Sequence, residues 1–527
     1  MSDINSHLQS TDYIVVIVYL IILIVIGYLI SFSKKRNTEE NLFLAGRSLR
    51  WSSIGLNMWG TNVGPSMLIA SASIGYTTGV VAGNFGWYAF VFIFLLAVVF
   101  APRYIGAKVQ TLPEFMGKRF GNKTRNILAW YSIITILISW LGLTLFAGSI
   151  FVCQILNVPM WVAAVILIII SAFFTIAGGL KAVAYTNVFQ MALLIIVSFI
   201  ITIVGLYKVG GIAQLYHNTP SHYWNLFQPL SDKNYPWLAI ILGYPIMGVW
   251  FWCTDQSMVQ SVLGARNLKQ GQLGAYFTGW LKILDVALFI IPGIICFILF
   301  PNLKNPDAAY MTMVTNLLPN GFIGLVMAVI MAALISTIDS ALNSLSTVFT
   351  MDIYIKKYKS SASQSEIIKI GRIVTAIGAL IALLLTLAID SIKGLKLFDV
   401  FQAILGFIAP PMSVVFLFGI LWKKTTTRAA NFVLSAGTLF SLGIGVLYLW
   451  VFPSEKFTFW PHFLLLSFYI FVILSLFTVI ISYFDNKQDN INMLQFSSIP
   501  KTDKSVYLLW AILIIVMIGL YILFNGH

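Results

Sequence analysis

A succession of apolar stretches, each about 20 residues long, runs from one end of this chain to the other and limits what it can fold into. A helix of that length crosses about 30 Å of hydrocarbon. A window of that size finds about fourteen spans, at 12–32, 51–79, 81–101, 126–152, 159–178, 186–207, 237–257, 274–300, 321–354, 371–390, 396–421, 428–452, 462–484 and 505–524. Only 9% of the residues are charged, against about 25% in a soluble domain. The expected fold class is an all-α polytopic membrane protein.

The longest polar intervals, at 208–236, 301–320, 355–370 and 485–504, are too short to bury a core of their own. Residues 1–527 therefore read as a single transmembrane domain whose function lies among its helices. A net charge of +14 would suggest nucleic acid in a soluble protein. Here the charge is sorted by loop. With the N-terminus outside, alternate loops hold about 25 of the 32 Lys and Arg, the asymmetry of the positive-inside rule. Lys34, Lys35 and Arg36, the run from Arg103 to Arg125, that from Lys356 to Arg372, and Lys423, Lys424 and Arg428 then face the cytoplasm. Both termini are external, in a cell membrane (the inner one if the source is bacterial), and no nucleic acid or obligate protein partner is called for.

The first apolar stretch is longer than a signal-peptide core and its positive charge follows it, so it is read as a true span. Cys153, Cys253 and Cys296 have no metal-ligand spacing and suggest neither disulfides nor zinc.

Two spans carry helix breakers. The second contains Gly55, Gly60, Gly64, Pro65 and Gly75, and the seventh contains Gly243, Pro245 and Gly248. Paired interruptions in corresponding positions point to inverted repeats, here 51–207 and 237–421, with 12–32 and 428–524 peripheral. Alternatively these are glycines and prolines of the kind membrane helices commonly carry.

Charges near mid-membrane need a cavity or a partner. Lys282 and Asp285 stand at i, i+3 on the eighth span, able to pair on one helix face, either as a packing bridge or within a site. Asp339 lies deep in the ninth. There Ala333, Ser336, Thr337 and Ser340 form one polar stripe. Uncharged oxygen ligands suit a monovalent cation, with carbonyls from a broken helix completing the shell. The alternative is hydroxyls bonding back to their own helix or to a neighbour.

Several blocks now carry a resemblance: LAGRSL at 44–49, LPEFMGKRFG at 112–121, AGGLKAV at 177–183, WCTDQSMVQ at 252–260, LNSLSTVFTMDIY at 342–354, and FDVFQ through APP to LFGILWKK at 398–424. Over nearly the whole chain they resemble the sodium/solute symporter family, in particular its sodium/glucose cotransporter branch. The resemblance implies a LeuT-like core of two inverted five-helix repeats and alternating access driven by sodium. It implies a sodium site of the Gly60, Val63 and Ala333 carbonyls with the Ser336 and Thr337 hydroxyls, three of them already in the stripe. It also implies solute contacts at Asn62, Lys282 and Gln402, with an aromatic face at Phe251 and Trp252.

Three positions depart from the branch. Met67 replaces Gln or His, and Gly86 replaces Glu, so the site is expected to lack a carboxylate acceptor. Asn187, in Tyr185-Thr186-Asn187, replaces the Asp of an additional sodium site. Asp339 is one turn below Ser336, and with Ser340 and Asn187 it makes a candidate second sodium site whose charge has moved across the pocket.

The expected function is sodium-coupled import of a sugar, sugar derivative or polyol, with Na⁺ as coupling ion and no other cofactor or metal. Carboxylate or amino-acid-like solutes are the alternative in transport. A solute sensor or channel without concentrative transport is the alternative outside it. The five His form no triad or metal motif with the acids, which disfavours an enzyme.

Overall fold

The structure is a computed structural model that describes residues 8–31, 38–156, 158–391, 397–454, 456–485 and 499–525, with the side chains of 30–31, 65–66, 154–155 and 397–403 excluded. The basic cluster at 34–36 lies outside the described residues. Among those described, twelve helices are long and apolar enough to cross a membrane, and pairing between extended segments is confined to isolated bridges.

The chain opens with α1 (Ser10–Ser31), and its second span is cut into α2 (Trp51–Asn62) and α3 (Pro65–Thr78). There follow α4 (Val80–Gly106), α5 (Asn122–Cys153), α6 (Met160–Val209) and α7 (Trp237–Thr254), then the short α8 (Gln256–Leu263). Next come α9 (Leu268–Leu299), α10 (Phe322–Tyr358) and α11 (Gln364–Asp390), then α12 (Leu397–Leu421). The last three are α13 (Thr427–Val451), α14 (Phe463–Phe484) and α15 (Lys504–Leu523).

At 50 residues, α6 would be about 75 Å long if straight, more than twice the hydrocarbon thickness. It breaks at Gly179, where φ is 55° and ψ −161°. A Cβ there would come within 2.3 Å of the Leu42 carbonyl oxygen, so both the conformation and the close approach require glycine. Taking α6 as two spans and α2–α3 as one broken span brings the count to about fourteen, as hydropathy indicates.

The α2–α3 break falls where Gly64 and Pro65 place it. Proline has no N–H to close a helical bond on the Thr61 carbonyl. The Gly64 N–H turns to the Asn62 carbonyl at 3.0 Å and away from that of Gly60. The seventh span behaves differently from the expectation. Its helix continues through Pro245 to Val249, widens over Trp250–Thr254 and stops at Asp255. Gly243 and Gly248 serve packing: a Cβ would lie 2.1 Å from the Leu464 carbonyl oxygen at the first and 2.3 Å from the Phe92 ring at the second. Asp255 makes the break, capping α8 by accepting from the N–H groups of Ser257 at 2.9 Å and Met258 at 3.2 Å. The Trp140 indole donates to its other oxygen at 3.1 Å.

Burial separates a central helix from peripheral ones. In α10, 89% of the most apolar 18-residue stretch is buried, against 28% in α1 and 22% in α15. Asp12 ties α1 to this centre, accepting from the backbone N–H groups of Gly321 and Gly324 at 2.7 Å each.

Candidate functional site

The break in α2–α3 faces the polar stripe of α10. The Thr337 hydroxyl donates to the Ala333 carbonyl at 3.2 Å and approaches the Thr61 carbonyl, freed by Pro65, at 3.4 Å. The Ser340 and Thr61 hydroxyls are 2.8 Å apart. A Cβ on Gly60 would stand 2.7 Å from the Met191 side chain and 3.3 Å from Ser336 Oγ, so glycine leaves room for both side chains against the α2 end. Ser336 Oγ is buried without a hydrogen-bond partner, and such an atom normally has a protein group, a water or an ion to satisfy it. The Gly60 carbonyl, which the Gly64 N–H leaves, and the Val63 carbonyl at the helix end lie on the same break. All five residues expected for a sodium site thus stand at one helix crossing, and an unpartnered hydroxyl with freed carbonyls fits a small cation.

The residues of the candidate second site separate into two groups. Asn187 donates to Asn57 Oδ1, and Asn57 donates to the Ser261 hydroxyl. The Asn57 carbonyl accepts from Thr61 at 2.8 Å, and Thr61 meets Ser340. Asn187 and Ser340 therefore belong to one hydrogen-bonded chain. Asp339 does not join it. Its carboxylate faces Ser171, on the first arm of α6, and both oxygens are buried without a hydrogen-bond partner. The physical reason is helical geometry, which turns consecutive residues 339 and 340 about 100° apart.

A second cluster is built on the other side of Asn62. Lys282, on α9, donates to Asn62 Oδ1 at 2.7 Å and to Asp285 Oδ2. Asp285 Oδ1 accepts from the Trp59 indole N–H at 2.8 Å. Lys282 and Asp285 are only 1% and 2% exposed, so the pair is fully withdrawn from water. The Lys282 ammonium lies 5.8 Å from the centre of the Trp252 ring, within cation–π range. Phe251 stands beside that ring at 5.1 Å and beside Trp140 at 5.3 Å. Met67 is half-buried in the first turn of α3 and packs on the hydrophobic core. Gln402 has its backbone in α12, and its side chain lies outside the described residues.

Gly86 packs against an acid that its own sequence neighbourhood does not contain. The missing side chain there leads one to expect a site without a carboxylate acceptor. In the structure a Cβ on Gly86 would lie 3.2 Å from Asp285 Oδ2 and 3.4 Å from Asp285 Cβ. A carboxylate therefore stands against that position, carried by α9 and not by α4. The separation of 199 positions in sequence hides this from any local reading.

Trp59, Asn57, Ser261 and Asp255 also escaped the sequence-based expectations. Trp59 precedes Asn62 by three residues, so helical periodicity offered it as a neighbour of the same face. Asp255 lay within the quoted WCTDQSMVQ block without a role. For Asn57 and Ser261, on different helices, no sequence signal existed.

The family model for the sodium:solute symporter family matches residues 42–437. Sodium/glucose cotransporter 1 of Oryctolagus cuniculus is 31% identical over 474 residues, covering 82% of this chain and 72% of that protein. Sodium/myo-inositol cotransporter 2 of Bos taurus is 31% identical over 470 residues, covering 82% and 70%. A solved Na⁺-coupled sialic acid symporter, substrate-bound and outward-open, superposes with a TM-score of 0.76 at 21% identity, covering 90% of this chain and 98% of that one. That likeness extends to the fold, and it bears out the expected all-α, LeuT-like class. Helical architecture, the extent of the family match and identity to full-length relatives agree, and the chain belongs to the sodium:solute symporter family, a multi-pass membrane family of sodium-dependent solute transporters.

Proposed function

We propose that this protein imports a sugar, a sugar derivative or a polyol together with sodium by alternating access, residues 51–207 and 237–421 forming the two inverted repeats. The observation that carries this is the double use of the α2 end. On one side Gly60, Thr61 and Val63 meet the Ser336–Thr337 stripe, and on the other Asn62 meets Lys282 and the Trp252 ring. Sodium sits on the first side, held by the Gly60, Val63 and Ala333 carbonyls and the Ser336 and Thr337 hydroxyls. A second sodium is held at Asp339, with Ser340 and Asn187 lining the neighbouring polar chain. The solute sits among Asn62, Phe251, Trp252, Lys282, Met67, Gln402 and Gly86. Aromatic faces cover the apolar C–H side of a sugar, and amide and ammonium groups serve its hydroxyls.

Similarity to sodium/glucose and sodium/myo-inositol cotransporters supports this class of solute. A carboxylate solute would need a free cation. Lys282 is already engaged by Asp285 and Asn62, which favours a neutral solute. Both termini face outwards in this reading, which the sorting of Lys and Arg between loops supports. An inward Na⁺ gains about 2.3 kcal/mol per 100 mV, enough for roughly 50-fold accumulation per coupled ion. The test is uptake of D-glucose and myo-inositol into proteoliposomes under an inward sodium gradient against potassium. Accumulation above equilibrium only in sodium is expected. Equilibration without accumulation would indicate a channel-like or sensing role.

A further inference from the structure

We infer that Asp285, whose carboxylate packs where a side chain at position 86 would otherwise lie, is a specificity-determining residue that accepts a hydroxyl of a neutral polyhydroxy solute. This rests on the solute class proposed above and narrows it.

Gly86 and Asp285 fit only as a pair. The nearest atom to a Cβ at Gly86 is Asp285 Oδ2, at 3.2 Å, so a longer acidic side chain at position 86 would displace Asp285 or meet it carboxylate to carboxylate. A carboxylate offers about four lone-pair directions. Among the described residues Asp285 uses one oxygen for the Trp59 indole and the other for Lys282, which leaves acceptor capacity on each. Lys282 spends two of its three donors on Asp285 and Asn62. The Asn62 amide offers its own N–H groups beside them. The cluster thus presents acceptor and donors together, as sugar hydroxyls require, next to the Trp252 face. Its charges cancel within the Lys282–Asp285 pair. A neutral solute enters without leaving a net buried charge, whereas an acidic one would add an uncompensated negative charge in a site shielded from water.

The experiment uses the full-length protein in proteoliposomes with an inward sodium gradient. The probes are D-glucose, its mono-deoxy derivatives, myo-inositol and D-glucuronate. In wild type, removal of one particular hydroxyl is expected to weaken apparent affinity ten-fold or more. In Asp285→Asn that same derivative and D-glucose should differ by less than three-fold, while the other deoxy sugars keep their wild-type ratios to D-glucose. If Asp285→Asn weakens every sugar by one common factor, the carboxylate does not read a hydroxyl and the inference is overturned.

Should Asp285→Asn fail to fold, the exchange Gly86→Glu with Asp285→Ala serves instead. Gly86→Glu alone is expected to abolish uptake. The double change should restore at least a tenth of it and alter which deoxy sugar is rejected. An unaltered order of preference in the double variant overturns the inference, and so does a wild-type preference for D-glucuronate over D-glucose. Wild-type protein that transports neither D-glucose nor myo-inositol would overturn the proposed solute class itself, and this inference with it.

Discussion

Asp285 and Asp339 are both buried carboxylates on membrane helices, and their surroundings are opposite. Asp285 has Lys282 beside it, the Trp59 indole at 2.8 Å and Gly86 packed against its carboxylate. Among the described residues neither carboxylate oxygen of Asp339 is hydrogen-bonded; the Ser171 hydroxyl faces the carboxylate, and the Thr175 hydroxyl donates to the Asp339 backbone carbonyl at 3.4 Å. The first is satisfied by the protein and has capacity left over. The second is left for something the protein does not supply. Burying an unpaired charge costs several kcal/mol or forces it to neutralise, so a carboxylate in the second situation suits a site that a cation enters and leaves. In the proposed function one acid serves the solute and the other the ions.

The sharpest way to break this division is to remove the ion side without touching either acid. Ser336→Ala with Thr337→Val deletes two hydroxyl oxygens at nearly constant volume and should abolish sodium-dependent uptake while expression is retained. Sodium activation that survives in the double variant would detach the stripe from the ion.

Next in size is Asp285→Ala, which leaves Lys282 buried with its charge uncompensated. A loss of about 3–5 kcal/mol in stability is expected, read as a lowered thermal midpoint in detergent. Asp339→Ala should cost less than half of that, since no hydrogen bond to its carboxylate is lost. Equal losses at both positions would erase the contrast between them.

Asn62→Ala removes the second partner of Lys282 and should weaken solute binding by about 1–3 kcal/mol. Apparent affinity in sodium, measured by uptake competition, checks this. An unchanged value would move the solute away from the α2 end.

The smallest expected effect is at Asp339→Asn, a lower Hill coefficient for sodium with solute affinity at saturating sodium unchanged. Asn187→Asp added to that variant tests whether the two positions share one pocket. Asn187 is bonded to Asn57 and Asp339 faces Ser171, so recovery of the coefficient is expected to be partial at most. Full recovery would show that the ion moves between them freely.

Much of this architecture was legible from local chemistry. Apolar length marked the spans, Gly64 and Pro65 marked the first break, and the 3.6-residue period placed Ser336, Thr337 and Ser340 on one face. Local chemistry failed where tertiary contacts decide. Gly243 and Pro245 suggested a break that helix packing overrides, because the backbone of α14 approaches at Leu464 and the interruption is built by Asp255. Gly86 looked like a lost acceptor because the carboxylate packed against it comes from another helix. Asp339 looked like a partner of Asn187 because both depart from one motif set, yet side-chain direction parts them.

The end of α2 has a thermodynamic consequence. Within four residues, Gly60 to Val63, the Thr61 carbonyl meets the α10 stripe and the Asn62 side chain meets Lys282, so in the proposed function one short segment serves both the ion and the solute. Two ligands that order one short segment share its entropic cost, so whichever arrives first lowers what the second must spend. Cooperativity of this kind needs no relay of motions through the protein. It is also reciprocal: the factor by which sodium tightens the solute must equal the factor by which the solute tightens sodium.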